Sequence, residues 1–428
     1  MPQTPESSAT PKRKNFFLRF LGALGPGVVT GAADDDPSGI ATYTVAGAQL
    51  GTQLLWLAWI TWPLMGIVQM VCARIGMVTG RGLAANLRQK IPRWVLVVVC
   101  VALFAANTLN VGADLAGMAD ASEMLTGINS HYFLLVFALG ISAATLLLRY
   151  TQIANVLKWL ALILFAYIWT AIDIHPDWLW VLHEGFVPQL PKTAVAWATV
   201  VAILGTTISP YLFFWQASQE VEEEKAMGRT TLAARRNATP RELRNRRLDV
   251  GVGTFFSNLV MFFIILTAAL TLHAHGITTI ETSRQAAEAL KPLAGTSASL
   301  LYTLGLLGTG LLAIPTLTGS AAYALAETFG WRQGLDAKLT KARAFYGTIA
   351  VSTVIAVVLD YSNVNPIRVL FLSAVANGLL APILLVGILL VARDSKVMNG
   401  QPSSRLSLTI VFVVAVLMAA AGVLMFVF

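Results

Sequence analysis

The chain has 428 residues, 56% of them hydrophobic and only 12% charged, with a mean hydropathy of +0.68. That composition excludes an ordinary water-soluble domain and indicates an all-α polytopic membrane protein whose solvent is the bilayer and whose partners include membrane lipid. The formal net charge of +8 does not read as a nucleic-acid footprint, because the basic residues lie between apolar spans, where cytoplasmic loops face anionic lipid.

The first apolar stretch follows Lys12, Arg13 and Lys14, an arrangement that imitates a signal peptide. It runs into Asp34-Asp35-Asp36-Pro37 instead of a small-residue cleavage site, and apolar sequence resumes at Ile40. It is therefore read as an uncleaved first span, preceded by a tail over 1–15. About 20 apolar residues cross a bilayer, and on that basis spans are predicted at 16–46, 53–77, 95–125, 131–149, 153–173, 194–219, 249–274, 298–326, 343–360, 366–392 and 406–428. Eleven helices with the N-terminus inside put all of the 30 Lys and Arg on the cytoplasmic side except Lys192, Arg284, Lys291 and Arg368, as the positive-inside rule requires. The C-terminus is then expected outside, and the short loops suggest a bacterial inner membrane. The segment 220–248, acidic at Glu222-Glu223-Glu224 and basic at Arg244, Arg246 and Arg247, is expected to be a cytoplasmic loop or surface helix. Cys72 and Cys100 have no metal-ligand spacing and read as packing residues.

Two spans are interrupted. Three consecutive carboxylates inside a span are expensive in hydrocarbon, and an intramembrane ionisable group is a functional hypothesis by default. Pro37 disfavours helix at Asp36 and deletes a backbone donor, while Gly39 tolerates unwound backbone. The sixth span breaks in the same manner at Gly205-Thr206-Thr207-Ile208-Ser209-Pro210-Tyr211. Broken backbone at membrane depth lines a wet cavity or binds something. Spans one and six each open a group of five, and transporters built from two inverted five-helix repeats hold substrate between such discontinuous helices. The division expected is 16–173 and 194–392, with 406–428 as an additional helix.

Other polar residues carry weaker readings. Asp114, Asp120 and Glu123 lie along span three, and of these only Asp114 is favoured for a role in an ion or proton route. His273 and His275 at a span end read as an interfacial loop, and Asn258 and Asn377 as interhelical hydrogen-bonding groups. No His-Glu-x-x-His, Gly-x-Ser-x-Gly or paired catalytic set is present, so enzymatic activity is not expected, and no cofactor motif is found.

Gly25-Pro26-Gly27 followed by Asp36-Pro37-Ser38-Gly39 resembles the first helix of the NRAMP family of divalent-metal transporters, whose motif reads Asp-Pro-Gly-Asn. The family's Gly-Ala-Thr-x-Met-Pro-His aligns with 205–211. Ala73-Arg74-Ile75-Gly76, Val78-Thr79-Gly80, Asp114-Leu115-Ala116, Gly305-Leu306-Leu307 and Thr318-Gly319 extend the likeness over most of the chain. The resemblance implies a LeuT-like fold of two inverted five-helix repeats with helices 1 and 6 broken, a divalent cation as substrate, and metal-ligand positions at Asp36, Gly39, Thr206 and Ser209. Two of these depart from the family, with Gly39 replacing Asn and Ser209 replacing Met. A thioether prefers softer transition metals, whereas oxygen donors and water suit Mg²⁺ or Mn²⁺. The substitutions resemble those of the NRAMP-related magnesium transporters. Proton coupling is also put in question, because the family's His is Tyr211 and the Glu after Asp-Leu-Ala is Gly117; Asp34, Asp35 or Asp114 remain as candidate relays. The expectation is alternating-access transport of Mg²⁺ or Mn²⁺. Its rivals are a proton-coupled transition-metal importer and an organic-solute symporter on the same fold, the latter opposed by Asp36, which would repel a substrate carboxylate.

Overall fold

The computed structural model describes residues 31, 33–147, 162–335, 337–360 and 365–428, and among these every regular element is helical. In chain order the principal helices are α1 (Pro37–Leu50), α2 (Leu57–Thr79), α3 (Arg93–Thr126), α4 (Ser130–Leu147), α5 (Ala166–Asp173), α6 (Ala194–Thr207), α7 (Pro210–Ala226), α8 (Pro240–Thr271), α9 (Ala298–Phe329), α10 (Arg343–Asp360), α11 (Pro366–Ala392) and α12 (Arg405–Val427). Eight helical stretches among the described residues are long and apolar enough to cross a membrane, with α6 and α7 together making one of them. Ile163–Asp173 and Arg343–Leu359 are apolar but shorter. Residues 16–30 of the expected first span and 153–161 of the fifth lie outside the described residues.

Both expected breaks have the same local design. Gly31, Ala33 and Asp34 are helical, Asp35 bends, and Asp36 is extended (φ −67°, ψ 170°) directly before Pro37 at the first position of α1. In span six, Ile208 leaves the helix and Ser209 is extended (φ −76°, ψ 132°) directly before Pro210 at the first position of α7. Proline excludes helical backbone from the residue before it and has no N–H to lose at a helix start. One residue type thus stops one helix and starts the next.

Every residue of α1 from Pro37 to Ala48 is buried, which places this helix at the centre of the bundle. It packs on α8, α11, α6 and α3. Close approach of helices without side chains between them fixes the site: a Cβ at Gly205 would lie 2.0 Å from the Ala374 carbonyl, so only glycine lets the end of α6 rest on the backbone of α11.

The segment 220–248 is largely helical. Helix α7 continues to Ala226 and α8 already begins at Pro240, opened by a capping box of Thr239 and Glu242. Only 227–239 connects them, carrying the short helix Leu232–Arg235. Its acidic and basic ends are paired: Arg246 on α8 meets Glu220 at 2.7 Å, and also Glu223 and Asp249. A short helix at Trp178–Phe186, capped by Asp177, was likewise not anticipated; exposed Leu179 and the ring of Phe186, stacked on Trp59 at 5.8 Å, give it an apolar outer face.

Candidate functional site

Asp36 caps α1. Its Oδ1 accepts a hydrogen bond from the Gly39 N–H at 2.7 Å, and its Oδ2 accepts one from Asn110 Nδ2 on α3 at 2.9 Å. Each carboxylate oxygen therefore has one neutral donor and a lone pair to spare. Asn110 is held in turn by Ser373 on α11, whose hydroxyl lies 2.6 Å from Asn110 Oδ1 and 2.8 Å from the Leu370 carbonyl. The charged oxygen pair sits at the junction of three helices.

Across from it, Ser209 solves the second break in the opposite direction. Its hydroxyl does not cap α7. It lies 2.7 Å from the Gly205 carbonyl and 2.6 Å from the Thr206 carbonyl, which belong to the unsatisfied C-terminal turn of α6. With the hydroxyl proton given to those carbonyls, the Ser209 oxygen keeps its lone pairs free, and the carbonyl-rich helix end favours a cation. The two breaks face each other: a Cβ at Gly39 would lie 3.3 Å from Thr206 Oγ1, 3.4 Å from the Asp34 carbonyl and 3.4 Å from a ring carbon of Tyr43. Gly39 and Thr206 thus lie side by side, with Asp36 capping the helix that carries Gly39 and Ser209 bonded to the Thr206 carbonyl.

The surroundings are strongly acidic and dry. Asp34, Asp35, Asp36 and Asp114 are at most 4% exposed, and none has an ion-pair partner among the described residues. Asp34 Oδ2 and Asp35 Oδ1 share the Ser257 hydroxyl on α8, at 2.6 and 3.2 Å. Among the described residues neither oxygen of Asp114 has a hydrogen-bond partner of good geometry, although Asp36 and the Ser38 N–H are within electrostatic reach. Four carboxyl groups so placed are costly to ionise together without a compensating charge, so a cation arriving here would favour their ionised forms. Tyr211 OH donates to the Ala33 carbonyl at 3.0 Å, tying α7 to the helical turn before the first break. Among the described residues no three His, Cys, Asp or Glu side chains converge on one metal position, so a cation here would be held by few charges and many neutral oxygens.

Residues 27–428 match the family described as "Natural resistance-associated macrophage protein-like". The chain belongs to the Nramp family. It is 27% identical over 408 residues to the divalent metal cation transporter MntH of Xanthomonas campestris pv. campestris, covering 92% of this chain and 87% of that protein. It is 28% identical over 412 residues to MntH of Deinococcus radiodurans, covering 94% and 88%. The structure of the Eremococcus coleocola manganese transporter superposes with a TM-score of 0.72 at 17% identity, over 97% of this chain and 88% of that one. Mhp1, a nucleobase-cation-symport-1 family transporter, superposes with a TM-score of 0.55 at 14% identity over 94% and 90%. These likenesses establish a LeuT-like, nearly all-helical fold, and membership of the Nramp family makes the chain a transporter and not an enzyme.

Within this Nramp protein the weaker candidates fall away from the centre. Asp120 accepts from the Ser283 N–H at 3.3 Å and Glu123 from the Ser130 N–H at 2.6 Å, so both organise loop ends. His273 Nδ1 meets the Ala48 carbonyl at 2.8 Å, and Asn258 joins α8 to Thr61 on α2 at 2.7 Å. Cys72 and Cys100 are buried free thiols. Three residues at the centre were not singled out by sequence reading: Asn110, Ser373 and Ser257. For Asn110 a signal existed, since it lies four residues before Asp114 and so on the same face of one helix.

Proposed function

We propose that this chain transports hard divalent cations, Mg²⁺ and Mn²⁺, by alternating access around Asp36, without a coupled proton flux. The observation that carries the reading is the donor set where the two breaks meet: one carboxylate, the carbonyl end of α6 and a hydroxyl whose proton is already committed to carbonyls. Those are hard ligands with no sulfur among them. Gly39 supports the same reading in that it brings no side-chain ligand: a Cβ there would already meet Thr206 Oγ1 at 3.3 Å, so α1 supplies Asp36 alone and the remaining coordination falls to neutral oxygens and water, which suits an ion that sheds its waters reluctantly. The relatives' names, divalent metal cation transporter and manganese transporter, support the substrate class. Tyr211, engaged with the Ala33 carbonyl, has no acid or base of neutral pKa to offer as a proton relay. The same reading divides the chain into two inverted repeats over 16–173 and 194–392 with an extra helix at 406–428, and the distribution of Lys and Arg supports a bacterial inner membrane with the N-terminus cytoplasmic and the C-terminus outside.

The test is uptake into proteoliposomes loaded in parallel with a Mg²⁺ indicator, a Mn²⁺ indicator and a pH dye, comparing the native chain with Asp36→Ala. Mg²⁺ and Mn²⁺ entry that depends on Asp36 and brings no acidification is the expected result. Mn²⁺ entry that excludes Mg²⁺ and carries protons would make the chain a proton-coupled transition-metal importer.

A further inference from the structure

Asn110 occupies the position from which a neutral oxygen could complete the site. Its amide nitrogen is 2.9 Å from Asp36 Oδ2, and of the two donors on Asp36 it is the one that can turn away, since the Gly39 N–H on Oδ1 is fixed in the backbone of α1. A cation on Oδ2 repels the N–H that now points at it and attracts the amide oxygen on the other side of the same group. A half-turn about the last side-chain bond exchanges the two atoms.

The partner that holds Asn110 is suited to that exchange. Ser373 Oγ lies 2.6 Å from Asn110 Oδ1 and 2.8 Å from the Leu370 carbonyl, with a single proton to give to one of them. With the amide oxygen facing Ser373, the hydroxyl donates to it. With the amide nitrogen facing Ser373, the hydroxyl donates to Leu370 and accepts the N–H through its own oxygen. Either orientation leaves the buried amide satisfied, so the turn loses only the bond to Asp36, which the cation replaces. An aspartate or leucine at 110 has no such pair of states.

We propose that Asn110 is a cation ligand of this site, presenting its side-chain oxygen to the ion or to the ion's water shell when Asp36 is occupied, with Ser373 as the residue that accommodates both amide orientations. This rests on the reading of Asp36 as the charged ligand. It also assigns a source for the amide oxygen that Gly39 does not supply: it comes from α3 and not from α1, so the bound ion bridges α1 to α3 and, through Ser373, to α11.

The experiment is Mg²⁺ and Mn²⁺ uptake in proteoliposomes for Asn110→Leu and Asn110→Asp beside the native chain and Asp36→Ala, reading half-saturating concentration and maximal rate separately. Asn110→Leu, which removes donor and oxygen at nearly constant size, is expected to raise the half-saturating Mg²⁺ concentration about tenfold. Asn110→Asp, which keeps an oxygen, is expected to lower it several-fold while slowing the maximal rate, because the ion is held more tightly. A rise in both variants would mean that Asn110 only donates to Asp36, and unchanged values in both would mean that it plays no part; either overturns the proposal. If Asn110→Leu does not purify as a folded species, Asn110→Asp decides alone, and an unchanged or raised value overturns the proposal. Full uptake by Asp36→Ala would instead remove the reading on which the proposal rests.

Discussion

Ser209 is where this chain's chemistry departs most from the thioether-bearing motif it resembles, and the departure can be tested at that atom. Its hydroxyl proton is shared between the Gly205 and Thr206 carbonyls, so the side chain both presents an oxygen and restrains the carbonyls beside it. Ser209→Met replaces a hard donor by a soft one and releases both carbonyls. The half-saturating Mg²⁺ concentration is expected to rise about tenfold, on the order of 1.4 kcal/mol, while Cd²⁺ becomes an effective competitor of Mn²⁺ uptake. Equal losses for Mg²⁺, Mn²⁺ and Cd²⁺ would show that the larger side chain only disturbs packing. At this scale Asp36 and Ser209 were legible because each precedes a proline in an apolar span, where sequence alone predicts a break. Asn110 and Ser373 were not, because an amide or hydroxyl inside a membrane helix ordinarily serves as interhelical glue. Only the side-chain positions show that one amide reaches Asp36.

Hydropathy located helices well, because twenty-residue apolar runs have few alternatives in a bilayer; α3 and α11 begin and end within two residues of expectation. It says less where charge replaces apolarity. The run from Glu220 to Arg247 reads as a cytoplasmic loop or surface helix without showing which charges pair; Arg246 is 8% exposed and Glu220 1%, and the two join α7 to α8 together with Glu223 and Asp249. Gln216 completes the cluster with a 2.6 Å hydrogen bond to Glu220. Removing the shared cation of a buried group of carboxylates costs about 3–5 kcal/mol. Arg246→Ala is therefore expected to lower the apparent melting temperature of the purified protein and its folded yield. Arg246→Lys, which keeps the charge but not the fork of donors, should fall between the two. A melting curve for Arg246→Ala that overlays the native one would show that the pairs are dispensable and that α7 and α8 are held by their apolar contacts.

Among the described residues, two sets of polar connections between helices meet beside Asp36. Thr61 and Asn258 join α2 to α8, Ser257 joins α8 to the turn that carries Asp34 and Asp35, and Arg246 joins α8 to α7. On the other side Asn110, Ser373 and Leu370 join α3 to α11. Between these sets run the contacts of α1, among them the bonds of Asp36 to Asn110 and of Ser38 to the Leu370 carbonyl at 3.4 Å. Four buried carboxylates gather where the sets meet, with no ion-pair partner among the described residues. A cation that settles on Asp36 ties the two sets together where they meet, and its effect should be global. A ligand that binds only the native state stabilises it by RT ln(1 + [L]/Kd), about 2.7 kcal/mol at a hundredfold excess over Kd. Titrating MgCl₂ or MnCl₂ into the purified, chelator-treated protein is expected to raise its apparent melting temperature by roughly a few degrees and to do so saturably. NaCl at matched ionic strength should not reproduce the shift, since screening acts on exposed charges and hardly on buried ones. Asp36→Ala should abolish the saturable part. If the shift survives in Asp36→Ala and disappears in Asp34→Asn with Asp35→Asn, the stabilising cation sits beside Ser257 and not on the proposed transport ligand.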